Sequence, residues 1–247
     1  MVRLFGIEFT SEPFDKVVER VITGRSGLVV TANVDHLGTL IHDERFRCAY
    51  RSAGTRTIDG FPLLLLAYIA GQRGAERIPG SDLAAAVFNR LRPDIDRPIF
   101  VASDHNTADA ARDSLLSRGF SNDQVAVQIP PFGFEQSHEL TSELRDVIQS
   151  FRPTQVFFAV GAPKSEIWCS LNQDCFGEAA ILCVGSGLNM AVGTLQRGPK
   201  WMGAVGLEWA WRLAQDPVRL APRYYRNAIL LPYLVLQAFK QRFRRER

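Results

Sequence analysis

Short apolar runs rich in β-branched and aromatic residues recur along the chain, at 27–33, 55–59, 98–103, 124–129, 154–161 and 179–185. Runs of that length, apolar at successive rather than alternate positions, predict strands buried on both faces. The segments between them carry helical spacing. Phe14, Val17, Val18, Val21 and Ile22 fall at i, i+3, i+4, i+7 and i+8, which predicts an amphipathic helix with Ser11 and Glu12 at its capping end. Residues 63–71 are apolar nearly all round and too few to span a bilayer, which predicts a helix buried in the core. Gly24, Gly71 and Gly119 stand where helices should stop, and Pro93, Pro130, Pro131 and Pro163 mark loops. The alternation predicts an α/β fold, a mostly parallel sheet with helices on both faces.

Composition changes this picture mainly at one end. With 247 residues, 46% of them apolar, the chain can bury one substantial core. Its net charge is +3, yet residues 212–247 hold eight Arg and one Lys against two acids, which is +7 and leaves 3 − 7 = −4 for the rest. Residues 212–247 are therefore a separate electrostatic segment. Cys48, Cys169, Cys175 and Cys183 show no metal or redox spacing and read as buried free thiols of a reducing cytoplasm. Met1–Thr10 lacks a basic segment followed by an apolar one, so no secretion signal is expected. No apolar run reaches the roughly 18–20 residues that span a bilayer, so a soluble or peripheral protein is expected.

In open parallel sheets, ligands gather beyond the carboxyl ends of the strands, where backbone N–H groups and helix N-termini converge. Those ends read Thr31-Ala32-Asn33-Val34-Asp35, Thr57-Ile58-Asp59-Gly60, Val101-Ala102-Ser103-Asp104, Pro131-Phe132-Gly133-Phe134, Gly161-Ala162-Pro163-Lys164 and Val184-Gly185-Ser186-Gly187. Small and polar residues at six strand ends suit a bound nucleotide.

In that order, together with Glu76-Arg77-Ile78-Pro79-Gly80-Ser81-Asp82-Leu83, Pro163-Lys164-Ser165-Glu166 and the run from Arg197-Gly198-Pro199-Lys200-Trp201 through Gly206-Leu207-Glu208-Trp209 to Arg212, these segments resemble the WecG/TagA/CpsF glycosyltransferases over nearly the whole chain. The resemblance implies a Rossmann-like core, 1–196, whose basic helical C-terminal appendage, 197–247, closes over the active site at the membrane. It implies inverting transfer of a hexose or N-acetylhexosamine from a UDP-sugar to a polyprenyl-diphosphate-linked saccharide in surface polysaccharide or exopolysaccharide assembly. The expected place is the cytoplasmic face of the cell membrane, with no nucleic-acid partner and no cofactor beyond the donor. One departure stands out: many members carry Pro-Lys-Gln-Glu where this chain has Ser165, so Ser165 and its neighbour Glu166 bear on the donor sugar.

Inverting transfer needs a base for the acceptor hydroxyl. By position Asp59 reads either as that base, partly desolvated at a strand end, or as the cap of a helix beginning at Phe61; the resemblance matches it to the base. The departing diphosphate needs a metal or fixed cations. The sole Asp-x-Asp, Asp94-Ile95-Asp96, precedes a strand rather than following one and reads as a solvated turn, so no essential metal is expected. Arg212, Arg219 and Arg223 match appendage positions proposed to reach the diphosphate, brought together where two short helices meet at Asp216-Pro217, or else form a solvated basic face. Arg77 and Lys164 are further cations of that kind. Thr31 and Asn33 are candidates for contacts to the sugar or the acceptor, Gly133, Gly161 and Gly185 for backbone approach to the nucleotide, and Glu208 for orienting an arginine. His36, His42, His105 and His138 read as surface or capping residues.

Two rival readings remain. Gly185-Ser186-Gly187 prompts a dinucleotide-dependent oxidoreductase or a methyltransferase, but position 190 is Met where the fingerprint needs its third glycine. The apolar run 228–239, flanked by Arg223 and Arg226 before it and Lys240, Arg242, Arg244, Arg245 and Arg247 after it, prompts a membrane adaptor. That run is expected either to lie on an anionic leaflet or to pack on the core.

Overall fold

The computed structural model of the chain describes residues 1–24, 26–204 and 206–245, which leaves Arg247 outside it. In chain order it contains β1 (Val2–Leu4), β2 (Ile7–Phe9), α1 (Phe14–Ile22), β3 (Leu28–Ala32), α2 (Val34–His42), α3 (Glu44–Ser52), β4 (Thr55–Ile58), α4 (Phe61–Ile69), α5 (Gly80–Arg90), β5 (Pro98–Ala102), α6 (His105–Ser117), β6 (Ala126–Gln128), α7 (His138–Phe151), β7 (Gln155–Ala159), α8 (Lys164–Leu171), β8 (Ala180–Cys183), α9 (Gly187–Ala191), α10 (Lys200–Ala204), α11 (Glu208–Gln215) and α12 (Pro217–Arg245). All six expected strands are present and form one parallel sheet in the order β4-β3-β8-β7-β5-β6. The antiparallel β1–β2 hairpin was not expected, because strands of three residues leave no period to read.

Alternate residues of each strand feed one of two cores. Leu28, Val30 and Ala32 of β3 point to the face covered by α2, α3, α4 and α8, and Val29 to the face covered by α1, α5 and α6. Aromatic rings fill both: Phe100 stacks on Phe157 on one side at 5.0 Å, and Phe158 on Trp168 on the other at 5.2 Å. Burial on both faces is what demanded continuous apolar runs. Gly24, Gly71 and Gly119 do end α1, α4 and α6, each with positive φ.

Several expectations fail locally. Pro13, not Ser11 or Glu12, stands at the N-cap of α1; the Ser11 hydroxyl instead accepts from the chain's amino terminus, and Glu12 pairs with Arg20. Helix α4 buries Leu63, Leu66 and Ala67 but leaves Phe61, Leu65 and Tyr68 on the surface, so it is not enclosed. Asp96 is buried rather than solvated: its carboxylate accepts from the Arg92 backbone N–H and the Gln155 amide, knitting the sheet's opposite end. Cys48 is exposed, whereas Cys169, Cys175 and Cys183 are buried and free. His36 is buried too, its Nδ1 2.7 Å from the Tyr50 hydroxyl, and burial followed by the nearby Arg223 charge lowers its pKa to about 3.

The basic C-terminus is an integral layer. Helix α12 continues through Pro222 and Pro232 and lies against α2 and α4, burying Leu234 and Ala238 in the core they share. Gly38 on α2 makes room for Leu230, whose Cδ2 lies 3.0 Å from where a Cβ would stand. Near its far end, Gln241 clamps the β1–β2 turn, accepting from the Phe5 N–H at 3.1 Å and donating to the Arg3 carbonyl at 2.6 Å. The run 228–239 is therefore two-sided: one face packs on the core, and the other exposes Ile229, Tyr233, Leu236 and Phe239. Leu234→Ala should cost about 2–5 kcal/mol in urea denaturation, whereas Ile229→Ala should stay within about 0.5 kcal/mol. A chain ending at Asn227 should be destabilised for the same reason. Equal, small effects at 234 and 229 would show that α12 is not seated.

Candidate active site

Strand β4 ends by delivering Asp59. The Asp59 N–H donates to the Ala32 carbonyl at 2.8 Å, extending the ladder by one residue, and Gly60, not Asp59, is the N-cap of α4. The capping alternative therefore falls away. Alongside runs the segment before α5: Arg77 bridges Ile58, the Ile78 N–H donates to the Ile58 carbonyl at 2.7 Å, and the Gly80 N–H reaches the Asp59 carboxylate. Gly80 is required there because a Cβ would stand 2.7 Å from the Thr31 Oγ1. Gly187 is packed onto the Gly80 backbone, where a Cβ would stand 3.1 Å from the Gly80 carbonyl, which gives the Gly185-Ser186-Gly187 turn a packing reason without any dinucleotide.

The appendage roofs this end. Arg197 pairs with Asp82 at 2.6 Å and donates to the Ser81 carbonyl at 2.5 Å, stapling the crossing segment to the start of α5. Gly206 lies against the Phe61 ring, and Gly198 against Trp211. Helices α11 and α12 meet at Asp216-Pro217 as expected. Their arginines are held by acids: Arg212 by Glu208 at 2.8 Å, Arg223 by Asp35 at 3.1 Å, and Arg219 by Asp216 at 2.5 Å. Arg212 also lies 3.4 Å from the Met190 sulfur on α9. All three arginines lower, and Glu208 raises, the pKa of Tyr224, although burial leaves it above the ordinary value. Tyr224 therefore marks where they converge. Arg219, with 69% of its side chain exposed, is the outermost. The Nε of Arg212 is buried without an acceptor, and that of Arg223 is buried facing the Asp35 carboxylate.

Burial pushes Asp59 up to about 6; Arg212, Arg77 and the Gly80 N–H pull the other way, and Glu208 adds to the rise. Desolvation thus outweighs two guanidinium charges and one hydrogen bond, leaving a carboxylate that holds its proton weakly enough to be ionised at neutral pH and strongly enough to take one.

The remaining candidates divide. Asn33 borders the Asp59–Gly60 turn, but its carboxamide oxygen caps α2 by accepting from the His36 N–H. Gly133, Gly161 and Gly185 have positive φ with open space beside them, so backbone conformation, not crowding, selects glycine. Lys164 pairs with Glu135 at 3.5 Å and lies 4.3 Å over the ring of the exposed Phe132. Thr31 is buried against Gly80, Ser165 is buried with its hydroxyl donating to the Gly161 carbonyl, and Glu166 is buried with its pKa raised to about 7 by desolvation. The first turn of α8 points these last two inward, onto the sheet. Asp35, Gly80 and Met190 join the site through partners distant in sequence, and Tyr224 through the arginines of its own α11–α12 segment; only Asp35 and Gly80 lay in motifs already singled out. Among the described residues no group of three His, Cys, Asp or Glu is placed to hold a metal ion.

Known proteins match this chain end to end. The pattern of the glycosyl transferase WecG/TagA/CpsF family covers residues 2–247. A Bacillus spizizenii protein named N-acetylglucosaminyldiphosphoundecaprenol N-acetyl-beta-D-mannosaminyltransferase is 24% identical over 217 residues, 87% of this chain and 80% of its own length. Proteins of the same name from Staphylococcus aureus and Bacillus subtilis are 22% and 23% identical, covering 89% and 92% of this chain and 86% and 85% of theirs. With that family pattern running from residue 2 to the last residue, over a parallel sheet whose strand ends gather Asp59 and the appendage arginines, the chain belongs to the WecG/TagA/CpsF family of glycosyl transferases.

Proposed function

We propose that this glycosyltransferase moves an N-acetylhexosamine or hexose, with inversion, from a UDP-sugar to a saccharide carried on a polyprenyl diphosphate, with Asp59 as the base. The observation that carries this reading is the desolvated Asp59 carboxylate facing Arg212 and Arg77 at a strand end. In the step proposed, an Asp59 oxygen takes the proton of the acceptor hydroxyl while the hydroxyl oxygen bonds to the anomeric carbon. The bond from the anomeric carbon to the diphosphate oxygen breaks on the opposite face, and UDP departs with the electron pair. Arg212 and Arg223 would meet its charge: the buried Nε of Arg212 still lacks an acceptor, as a fixed donor for a phosphate oxygen would, and Asp35 holds Arg223 in place. The names of the relatives support an acceptor of the GlcNAc-diphosphoundecaprenol kind and an N-acetylmannosamine donor group.

A lipid-linked acceptor calls for contact with a bilayer. Among the described residues no helix is long and apolar enough to cross one. The exposed stripe Tyr225, Ile229, Tyr233, Leu236 and Phe243 of α12, beside Leu65 and Tyr68 of α4, is proposed to lie on an anionic leaflet at the cytoplasmic face. Each of the neighbouring cations Arg226, Lys240 and Arg244 would add about 1 kcal/mol there before salt screening.

Asp59→Asn should lower transfer at least about a hundredfold while UDP affinity stays within about threefold; loss of UDP binding in parallel would assign Asp59 to nucleotide binding instead. The same variant tests the burial. A carboxyl whose folded pKa lies above the ordinary 3.8 contributes stability that is full below that value and lost as pH rises through about 6. Asp59→Asn should therefore raise the urea midpoint at about pH 7.5 and not at about pH 3.5. Leaving-group stabilisation by arginines requires no divalent ion, so transfer should survive excess EDTA; activity lost to EDTA and restored by Mn²⁺ or Mg²⁺ would overturn that assignment. Ile229→Gln with Leu236→Gln should weaken sedimentation with phosphatidylglycerol vesicles yet leave transfer to a water-soluble acceptor intact. Unchanged sedimentation would remove the stripe from the interface.

A further inference from the structure

A second cavity, of about 450 Å³, lies away from the strand ends, between the β1–β2 turn, α2 and the last third of α12. Its walls are apolar, built from Phe5, Ile7, Leu37, Leu40, Ile41 and Leu234. Its rim is cationic: Arg47, Lys240 and Arg244 line it, and no acid does. Arg47 is occupied, paired with Glu44 and donating to the Leu40 and Ile41 carbonyls. Lys240 and Arg244 make no ion pair among the described residues and project four positions apart, one helical turn, from one face of α12. The mouth opens beside exposed apolar surface, since Ile41 and Tyr233 both line the cavity and are 39% and 50% exposed.

The wall is held in an unusual conformation. Phe5 and Gly6 have φ of 50° and 80°, a turn with both central residues left-handed, which favours Asn, Asp or Gly at the first position. A phenylalanine there is strained, and the Gln241 clamp on its N–H holds it in place with its ring forming part of the cavity.

We infer that this cavity binds one acyl chain of an anionic bilayer phospholipid, with the headgroup phosphate between Lys240 and Arg244. Charge complementarity and an apolar interior of a size suited to small ligands select an amphiphile with one negative head. Position selects a bilayer lipid over the acceptor's own tail: Arg223, near the proposed diphosphate site, and Lys240 are seventeen residues apart on one helix, about 25 Å at the helical rise. Two phosphates that far apart belong to two molecules. The bound lipid would pin the far end of α12 to the leaflet while its near end meets the lipid-linked acceptor, fixing the enzyme's orientation. This inference rests on the proposed membrane-surface transfer.

The test uses the full-length protein and dihexanoyl phosphatidylglycerol below its micelle concentration, so that no bilayer is present. Calorimetry should show saturable binding of one molecule per chain. Ile41→Trp, which fills the mouth, should abolish it, and Lys240→Ala with Arg244→Ala should weaken it at least about tenfold. Ile229→Gln with Leu236→Gln should leave it unchanged, separating the cavity from the general membrane stripe. Each variant should keep wild-type transfer to a water-soluble acceptor, so loss of that transfer in the wild-type protein would count against the enzymatic reading and not the cavity. No binding, binding insensitive to Ile41→Trp, or equal binding of dihexanoyl phosphatidylcholine would overturn the inference. So would tighter binding of geranyl diphosphate at the same place, which would make the occupant the acceptor tail, or a dimer in sedimentation that Ile41→Trp dissociates, which would make it a second copy.

Discussion

A partly buried carboxylate at the end of β4 sets the terms for everything around it. Left alone, a buried Asp59 would hold its proton too firmly to serve as a base, and fully solvated it would hold a proton too weakly. The chain reaches the middle ground, a pKa of about 6, by surrounding a desolvated group with limited positive charge: Arg212 and Arg77 as nearby cations and the Gly80 N–H as a direct donor. Arg212 is itself tempered by Glu208, so the roof over Asp59 carries an ion pair rather than a bare cation. Small residues make that crowding feasible, because Gly80 and Gly187 let α5, α9 and β3 meet at backbone distance.

The desolvation depends on the appendage, and the appendage depends on α12. Arg197 fastens one end of the roof to α5, and α12 fastens the other by burying Leu234 and Ala238 between α2 and α4. Arg223 joins the two by its pair with Asp35 in the first turn of α2. Division of the chain at residue 196 is therefore one of location over the sheet rather than of separate cores, since Leu234 and Ala238 share a cluster with Val30 and Ile58. A helix that both completes the core and presents an apolar outer face couples surface attachment to the geometry of the site.

Much of this was legible in the sequence because double-sided burial forces apolar residues onto consecutive positions. Strands β3 to β8 could be read for that reason, and the junction at Asp216-Pro217 because proline cannot continue a helix from the preceding residue's conformation. Periodicity says that a face is apolar without saying what covers it. Hence α4 reads as enclosed and the run 228–239 as lying either on a leaflet or on the core, when each is half covered. The site divides along the same line. Asp59 stands out at a strand end, but the burial of Thr31, Ser165 and Glu166 follows from which way α5 and α8 settle on the sheet, and Asp35 and Met190 acquire meaning only from partners far along the chain. Asp96 is the converse case: a metal-like triplet whose carboxylate is consumed by Gln155 and the Arg92 backbone.

The most direct test is to titrate the Asp59 carboxyl carbon by ¹³C NMR in the unliganded wild-type protein and in Arg212→Ala. The expected result is a midpoint near 6 that moves upward in the variant, because removing Arg212 deletes a charge that lowers the pKa and leaves Glu208, which raises it, unpaired. A midpoint near the ordinary 3.8 in the wild type, unmoved by Arg212→Ala, would contradict a desolvated base held in check by the appendage.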